Sequence, residues 1–335
     1  MTNTETEDKI SGALHGLFIG DALAMPVHWY YNRQALLDDY GRVTDYLAPR
    51  HPHPDSILFR SHYKALNARG EILHDKARFW GVPGVHYHQF LKAGENTLNL
   101  QLCRLVIASL NAGGGYDADD YLQRYIAFMT TPGSHRDTYI EECHRNFFAN
   151  YARGVAPHRC GTQEKHIGGL AMMVPVVLFH HDRPPAARAA ALEHLALTHP
   201  GPKMEDAGRL LTDLLLEVLS GRPLAEATRQ MIRAQRSPLL GHPFETLLGQ
   251  PDDGVIGPRF STACYVEHAV PAVIYLALKY DRRPEEALTA NTHLGGDNAY
   301  RGAVLGALLG AENGLGGLPR RWIDGLVDPP PALRR

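Results

Sequence analysis

Two short segments, far apart in the chain, carry acidic and amide side chains that could do chemistry together. Glu95, Asn96 and Thr97 directly precede a stretch with apolar residues at helical spacing, and Asp297 and Asn298 directly follow a Gly-Gly pair. Unpaired N–H groups at a helix start favour acidic and amide oxygens, so both segments are predicted helix N-termini. Capping alone explains either segment; together, the two carboxyl groups are candidates for acid–base chemistry.

Histidine is abundant, with 19 residues in the chain, and several lie near these segments. His86 and His88 face the same way if the chain is extended there, so they could bind a metal or a phosphate, or belong to an ordinary polar loop. His293 precedes the Gly-Gly pair and is either a metal ligand or a turn residue that hydrogen-bonds locally.

Composition limits the class of protein. The chain has 335 residues, 44% of them hydrophobic, and a net charge of -2, so no overall field favours nucleic acid or an acidic membrane surface. The four cysteines form no C-x-x-C pair and are predicted to be free core thiols. The acidic, polar first residues do not form a signal peptide. We therefore expect a cytoplasmic protein that binds a small molecule, with no nucleic acid or membrane partner.

Helical periodicity dominates, as in residues 206–219 (DAGRLLTDLLLEVL), and strand-like alternation is almost absent. The sequence predicts an all-α fold with one domain over residues 1–335. Residues 1–10 are expected to be a flexible N-terminus, and residues 47–95 an irregular, lid-like tract rich in proline, glycine and histidine. Two further irregular tracts are predicted at residues 154–169 and 236–257.

A small-residue pattern opens the chain. Gly12, Gly16 and Gly20 in SGALHGLFIGDALAMP recur at every fourth position, which places them on one face of a helix. A glycine face allows another backbone to approach closely, either for tight packing or as the wall of a site. Asp21 comes directly after Gly20.

Taken together and in order, these segments resemble the ADP-ribosylglycohydrolase family, all-α enzymes that include dinitrogenase reductase-activating glycohydrolase. Residues 11–26 are similar to the opening G-x-x-x-G-x-x-x-GDALG-x-P motif of the family, and residues 166–175 (HIGGLAMMVP) to its glycine-methionine segment. Residues 197–206 contain its THP turn, and residues 284–314 resemble its final motif. The resemblance implies a compact orthogonal helical bundle with a central cleft.

The family holds two magnesium or manganese ions with a Thr-Asp-Asp-Thr motif and a Gly-Asp-Thr-Asp-Thr motif. The threonine ligand and the two aspartates of the first motif are matched here by Gly94, Glu95 and Asn96. The two aspartates and the last threonine of the second motif are matched by Asp297, Ala299 and Tyr300. The glutamate that often follows the opening motif is His28 in this chain.

Two carboxylates are too few to offset the repulsion and lost hydration of two close divalent ions, so a dinuclear magnesium site is not expected. At most one divalent ion is expected, held by Glu95, Asp297 and His293. Histidine ligation suits zinc, nickel, manganese or iron better than magnesium.

The resemblance implies a hydrolase that cleaves a glycosidic bond of a ribosylated or nucleotide-like substrate. Glu95 and Asp297 are the predicted acid–base groups, with His28 as a further titrating group. The expected substrate contacts come from polar residues and glycines of the same segments: Asn96, Thr97, Asn298, Tyr300, Arg301, Gly168, Gly169, His86 and His88. The alternative is a catalytically inactive family member that binds a nucleotide or a partner protein. The sequence leaves the oligomeric state open.

Overall fold

Helices make up nearly all of the regular structure in residues 3–334, the part of the chain that this computed structural model describes. Within that range the α-helices are α1 (Asn3–Ala24), α2 (Arg33–Tyr40), α3 (Leu98–Gly113), α4 (Ala118–Thr130), α5 (Glu142–Ala152), α6 (Gly168–Phe179), α7 (Pro184–Thr198), α8 (Pro202–Leu219), α9 (Leu224–Arg233), α10 (Phe244–Leu247), α11 (Asp252–Val255), α12 (Val266–Lys279), α13 (Pro284–His293), α14 (Asn298–Asn313) and α15 (Arg320–Gly325). Short 3₁₀ turns cover Met25–Val27, Leu58–Arg60, Ala68–Gly70, His74–Phe79, Pro157–Arg159, Pro238–Leu240 and Leu315–Gly317. The predicted all-α class is confirmed.

The apolar pattern of each helix explains its position. Every residue of α6 is buried, which its uniformly apolar sequence requires of a central helix. The α8 helix instead alternates buried leucines with polar residues and packs one face on the core. All four cysteines are free, and all except Cys264 are fully buried, as core thiols should be.

The first helix and the last long helix of the bundle pack backbone against backbone. Three glycines of α1 face three of α14: Gly12, Gly16, Gly20, Gly302, Gly306 and Gly310. A methyl group on Gly16 would overlap the carbonyl oxygen of Gly306, and one on Gly306 would overlap that of Gly16. Because α1 leads into residue 28 and α14 begins after residue 297, this crossing brings the two chain segments of the candidate site together.

Residues 3–10 form the first turns of α1, and Ile10 already belongs to the core; residues 1 and 2 lie outside the described part of the chain. Flexibility of the N-terminus stays a prediction. Thr4–Val27 is the one described helical stretch long and apolar enough to cross a membrane, and 89% of its most apolar part is buried inside the protein. A core helix of this length and composition meets the same criterion.

Residues 47–95 are irregular, as predicted, with short 3₁₀ turns between loops. The tract is fixed to the helical body by hydrogen bonds: Asn67 Nδ2 donates to Ala152 O (2.9 Å) and Trp80 Nε1 to Thr138 O (3.2 Å). Its buried side chains include His53 and Tyr87. Movement of the tract as a lid stays a prediction.

Candidate functional site

Residues 262–264, a short segment before α12, join the beginnings of α6 and α14. The N–H of Asp297, the N-cap residue of α14, donates to Thr262 O (2.8 Å), and the N–H of Ile167 donates to Cys264 O (2.8 Å). The turn before Asp297 has φ of 68° and 65° at Gly295 and Gly296, a conformation that favours glycine. The two helix starts therefore lie side by side.

His28 meets Asp297 at this place. The backbone N–H of Trp29 donates to Gly296 O and that of Gly296 to Tyr30 O, both at 2.7 Å, which fixes the segment after α1 against the glycine turn. His28 Nε2 then lies 3.0 Å from Asp297 Oδ1, and both side chains are fully buried. Two of the three predicted acid–base residues are thus in direct contact.

The contact extends into a row of four hydrogen-bonded side chains. His28 Nδ1 lies 2.8 Å from His88 Nε2, and His88 Nδ1 lies 2.5 Å from Asp137 Oδ1. The second oxygen of Asp137 accepts the N–H of Leu98 at the start of α3 (2.6 Å). His88 therefore contacts the predicted site through His28, and its other partner, Asp137, is a residue that the sequence analysis did not include.

Three carboxyl groups in this region have raised pKa values. Burial raises the pKa of Asp297 to about 6. Burial, followed by the negative charge of Asp297, raises the pKa of Glu141 to about 8, and the charge of Glu164 adds to this effect. Burial and then the charge of Glu142 raise the pKa of Glu164 to about 7. Glu141, which feels both of the other carboxyl groups, connects Asp297 and Glu164 electrostatically.

An open cleft of about 530 Å³ borders this acidic region. We call it the Glu164 cleft; its lining residues are Glu142, Asn146, Thr162, Gln163, Glu164, Lys165, His166, Gly201, Pro202, Lys203 and Tyr265. His166 Nδ1 lies 3.2 Å from Glu164 Oε2, and burial lowers the pKa of His166. A carboxyl with a raised pKa beside an imidazole with a lowered pKa favours the neutral pair, in which the protonated Glu164 keeps its proton and donates a hydrogen bond to His166 Nδ1.

Glu95 lies elsewhere. Its carboxylate pairs with Arg136 and accepts the N–H of Lys92 (2.6 Å), at a separate surface groove of about 410 Å³ that also contains Asn96 and Asp328. Among the described residues, no hydrogen bond joins Glu95 to Asp297. The structure therefore does not bring together the two carboxyl groups that the sequence analysis paired.

Asn96 and Thr97 both bind a buried carboxylate. Asp21 accepts hydrogen bonds from Thr97 Oγ1 (2.6 Å), Thr97 N (2.9 Å) and Asn96 Nδ2 (2.9 Å). Burial raises the pKa of Asp21 to about 6, and these hydrogen bonds act against that rise. Asp21 thereby ties α1 to the start of α3.

We expect Asp21→Asn to destabilise the fold by about 2–4 kcal/mol, because its amide N–H₂ would face donors inside the core. Glu95→Gln is the matched control from the same region; it removes a partly exposed ion pair and is expected to cost about 1 kcal/mol or less. Urea denaturation of both variants measures the difference. Equal losses of stability would contradict the assignment of these two carboxyl groups.

The remaining polar residues of the second segment hold the glycine turn. Asn298 Nδ2 donates to Thr292 O (2.8 Å) and Arg301 Nη2 donates to Gly295 O (2.9 Å). Burial lowers the pKa of Arg301 to about 10. Both ring nitrogens of His293, the last residue of α13, are engaged, with Thr289 O in the same helix and with the N–H of Val43, each at 2.8 Å. His293 therefore has no lone pair free for a metal and ties the end of α13 to the segment at Val43.

His86, Gly168 and Gly169 also have packing partners. His86 Nε2 donates to Pro26 O (2.9 Å), and its Nδ1 accepts the N–H of His88 (3.0 Å). A methyl group on Gly168 would lie 3.1 Å from Glu141 Oε2, and one on Gly169 would lie 2.7 Å from the ring of His199. These glycines let the start of α6 approach the buried acidic region.

The comparisons with known proteins show the family and the fold. A family model described as ADP-ribosylglycohydrolase matches residues 2–334. The chain belongs to the ADP-ribosylglycohydrolase family. A solved structure described as an "ADP-ribosylglycohydrolase-related protein complex" is similar to it, with 23% identity over 96% of this chain and 93% of the other and a TM-score of 0.65. No curated protein matches. The family is hydrolytic, so the chain is assigned to a family of hydrolases.

The first metal motif of the ADP-ribosylglycohydrolase family does not fit metal binding in this chain. A side chain at Gly94, which has φ of 81°, would overlap the carbonyl oxygen of Gly325. Glu95 pairs with Arg136, and the amide nitrogen of Asn96 points at Asp21. Of the three matched positions, Gly94 thus has no room for a side chain, and the side chains of Glu95 and Asn96 are engaged with Arg136 and Asp21.

The second motif keeps one acid. Ala299 is buried and apolar, and the buried ring of Tyr300 packs edge-on against His28, with centroids 5.0 Å apart. Asp297 Oδ1 is bonded to His28, and Asp297 Oδ2 is a buried oxygen without a hydrogen-bond partner. One free carboxylate oxygen beside an imidazole and an aromatic ring does not fit two hard divalent ions.

A different group of three side chains could hold a metal ion by its spacing. The ligand atoms of Glu141, Cys143 and His144 all lie within 4.8 Å of one another. Burial raises the pKa of the Cys143 thiol, and both nitrogens of His144 are engaged, with Asn99 Oδ1 (2.9 Å) and Tyr125 O–H (2.7 Å). A protonated thiol and an occupied imidazole are poor ligands.

The sequence analysis selected neither Glu164, which lines the cleft, nor the buried acids Asp137 and Glu141. No recognised motif or spacing marks these three residues. One signal was present: Glu164 and His166 lie in the irregular tract 154–169, directly before a helix that opens with two glycines. An acid and a histidine at that position were worth selecting.

Proposed function

We propose that the protein hydrolyses the glycosidic bond of a ribosylated or nucleotide-like small molecule bound in the Glu164 cleft. One observation carries this proposal: Glu164, Glu141 and Asp297, with pKa values raised to about 7, 8 and 6, link the wall of an open cleft to the buried layer beneath it. Perturbed acids that cluster at a cleft are typical of acid–base catalysis. A volume of about 530 Å³ is suitable for a small-molecule ligand.

Glu164 is the proposed general acid. With its pKa near 7 it holds a proton in a large fraction of molecules at neutral pH, and it borders the open cleft beside His166. Cleavage of a glycosidic bond needs a proton on the leaving-group atom as the bond to the anomeric carbon breaks. The Glu164–His166 pair can supply that proton and take one back from water afterwards.

Asp297 is the proposed negative charge beneath the reacting sugar. An oxocarbenium-like transition state is positive, and a carboxylate in a poorly solvated layer stabilises it without direct contact. Glu141, with its higher pKa, stays largely protonated at neutral pH and therefore adds little negative charge next to Asp297. Its Oε2 accepts a hydrogen bond from Asn99 Nδ2 (2.7 Å). Different environments thus assign different roles to neighbouring carboxyl groups. His28 orients Asp297 through their 3.0 Å contact.

Two lysines favour an anionic group on the substrate. Lys165 and Lys203 line the cleft, and Lys165 Nζ lies 4.2 Å from the ring centroid of Tyr265. Glu267 lies between them, 3.0 Å from Lys203 Nζ and 3.9 Å from Lys165 Nζ. A phosphate group of the substrate could replace Glu267 as the negatively charged partner of the two lysines.

The composition of the chain supports the proposed class of ligand and the proposed cellular location. A net charge of -2 supports a small-molecule ligand rather than nucleic acid or a membrane surface, and free cysteines support a cytoplasmic location. At most one divalent ion would take part.

A second candidate is a catalytically inactive family member that binds a nucleotide or a partner protein. The observation that favours it is the complete burial of Asp297 and His28, which the family motifs place at the reaction centre. Such a protein would bind ligands in the Glu164 cleft without converting them.

The test is a screen of the purified protein against N-linked ADP-ribose on arginine, O-linked ADP-ribose on serine, NAD⁺ and nucleosides, with free sugar or ADP-ribose measured by chromatography. We expect turnover of at least one compound, and a loss of about 100- to 10,000-fold in kcat for Glu164→Gln. Glu95→Gln, from the other groove, is the control and should keep the activity. Binding without turnover across the panel would favour the inactive alternative and overturn the proposal.

A further inference from the structure

The place expected for the metal centre of the family contains a closed row of hydrogen bonds. Asp297, His28, His88 and Asp137 are at most 1% exposed and are joined by contacts of 3.0, 2.8 and 2.5 Å. The rings of His28 and His88 are parallel within 3°, with centroids 5.1 Å apart, and Trp29 stacks on His28 at 3.7 Å. Four separate chain segments are joined in this way.

Counting hydrogens defines the charge of the row. Three hydrogen bonds between four groups need three hydrogens, and two neutral imidazoles supply only two. With two carboxylates and two neutral imidazoles, one contact would press two lone pairs together inside the core, which is costly. The row therefore contains a third proton, shared along Asp297, His28, His88 and Asp137, and its net charge is -1.

This arrangement competes with a metal ion at Asp297 Oδ1. A divalent cation there would displace the imidazole of His28, and the freed nitrogen would remain buried without a partner. Asp297 Oδ2 has no hydrogen-bond partner, but one carboxylate oxygen is too few to hold two divalent ions. At the other end, Asp137 Oδ2 already accepts the N–H of Leu98 (2.6 Å) at the start of α3, so that carboxylate is also engaged. A single proton completes the hydrogen bonds of the row and adds one positive charge, whereas two divalent ions would add four.

We propose that this chain has exchanged the dinuclear metal centre of its family for a metal-free Asp297–His28–His88–Asp137 row that holds one shared proton. The inference concerns the structure of the buried centre and does not depend on the proposed reaction. His28, at the position of a family glutamate, is the residue that makes the exchange feasible, because it bonds both to Asp297 and to His88.

Three measurements on the whole chain test this. Elemental analysis after purification without chelators should find far less than one equivalent of divalent metal, and added Mg²⁺, Mn²⁺ or Zn²⁺ should not raise the melting temperature. Nuclear magnetic resonance of protein labelled with ¹⁵N-histidine should show imidazole N–H protons far downfield and protected from exchange, which His28→Gln and His88→Gln each remove.

Stoichiometric metal, or a rise in melting temperature on metal addition that Asp297→Asn abolishes, would overturn the proposal. So would the absence of protected imidazole protons in the wild-type protein. Because the elemental analysis and the wild-type spectrum need no variant, a variant that fails to fold leaves both tests valid. Failure of the hydrolysis screen would not affect either result.

Discussion

Gly306→Ala is expected to destabilise the protein by at least about 3 kcal/mol, although alanine is the better helix former by about 1 kcal/mol. The reason is the crossing of α1 and α14, where a methyl group on Gly306 would overlap the backbone carbonyl of Gly16. Backbone cannot rotate away as a flexible side chain can, so the two helices must separate.

Gly113→Ala is the matched control. Gly113 is the last residue of α3, and a methyl group there meets nothing within 4 Å. We expect this variant to be as stable as the wild type or up to about 1 kcal/mol more stable. Chemical denaturation of the two variants gives the comparison, and a Gly306→Ala protein of wild-type stability would contradict the backbone-to-backbone packing.

The same crossing has a consequence for the site, because α1 and α14 hold His28 and Asp297 at their ends. A methyl group on Gly20, near those ends, would overlap the carbonyl of Gly302. Close packing of the two helices is therefore required for the 3.0 Å contact between His28 and Asp297.

Glu141→Gln is expected to remove a large part of the fall in stability that the wild-type protein shows as pH rises from 4.5 to about 8. The pKa of Glu141 is raised by burial from 4.5 to about 8 in the folded state. Between these values the folded protein holds a proton that the unfolded chain has lost, so stability falls as pH rises, by about 1.4 kcal/mol per pH unit. The full loss by pH 8 is roughly 3–5 kcal/mol, and the uncharged amide of the Glu141→Gln variant cannot contribute to it.

Urea denaturation at several pH values between 6.5 and 8.5 measures this effect. The range matters because buried histidines with lowered pKa values, such as His144 and His194, reduce stability below pH 6.5. Glu142→Gln, which replaces the exposed neighbour, controls for the loss of a carboxyl group from this segment. Parallel curves for the wild type and Glu141→Gln would contradict the buried, protonated state of Glu141.

The fold could be predicted well from the sequence, for physical reasons that particular residues show. The helical spacing of apolar residues in α8 and the uniformly apolar sequence of α6 predict these helices locally. Gly12, Gly16 and Gly20 predict that another backbone approaches α1 closely, but they do not show which helix that is. The second glycine face, on α14, is equally visible in the sequence, yet only the three-dimensional packing matches the two.

The candidate site was only partly predictable. Asp297 and His28 were selected because they stand in recognisable motifs, and they do meet. Glu95 was selected for the same reason but pairs with Arg136 at the surface, since a motif position does not specify the direction of a side chain. Glu141 and Glu164 gain their raised pKa values from burial and from nearby negative charges, first Asp297 for Glu141 and Glu142 for Glu164, and burial is not encoded within a short stretch of sequence.

The most direct test of the account is a comparison of leaving groups in Glu164→Gln. A general acid matters most when the leaving group is poor and little when it departs readily as an anion. We therefore predict that Glu164→Gln loses about 100-fold or more in kcat on the substrate found in the screen, and less than about 10-fold on the matching 4-nitrophenyl riboside. An equal loss on both compounds, or no loss on either, would contradict the role of Glu164 as the proton donor.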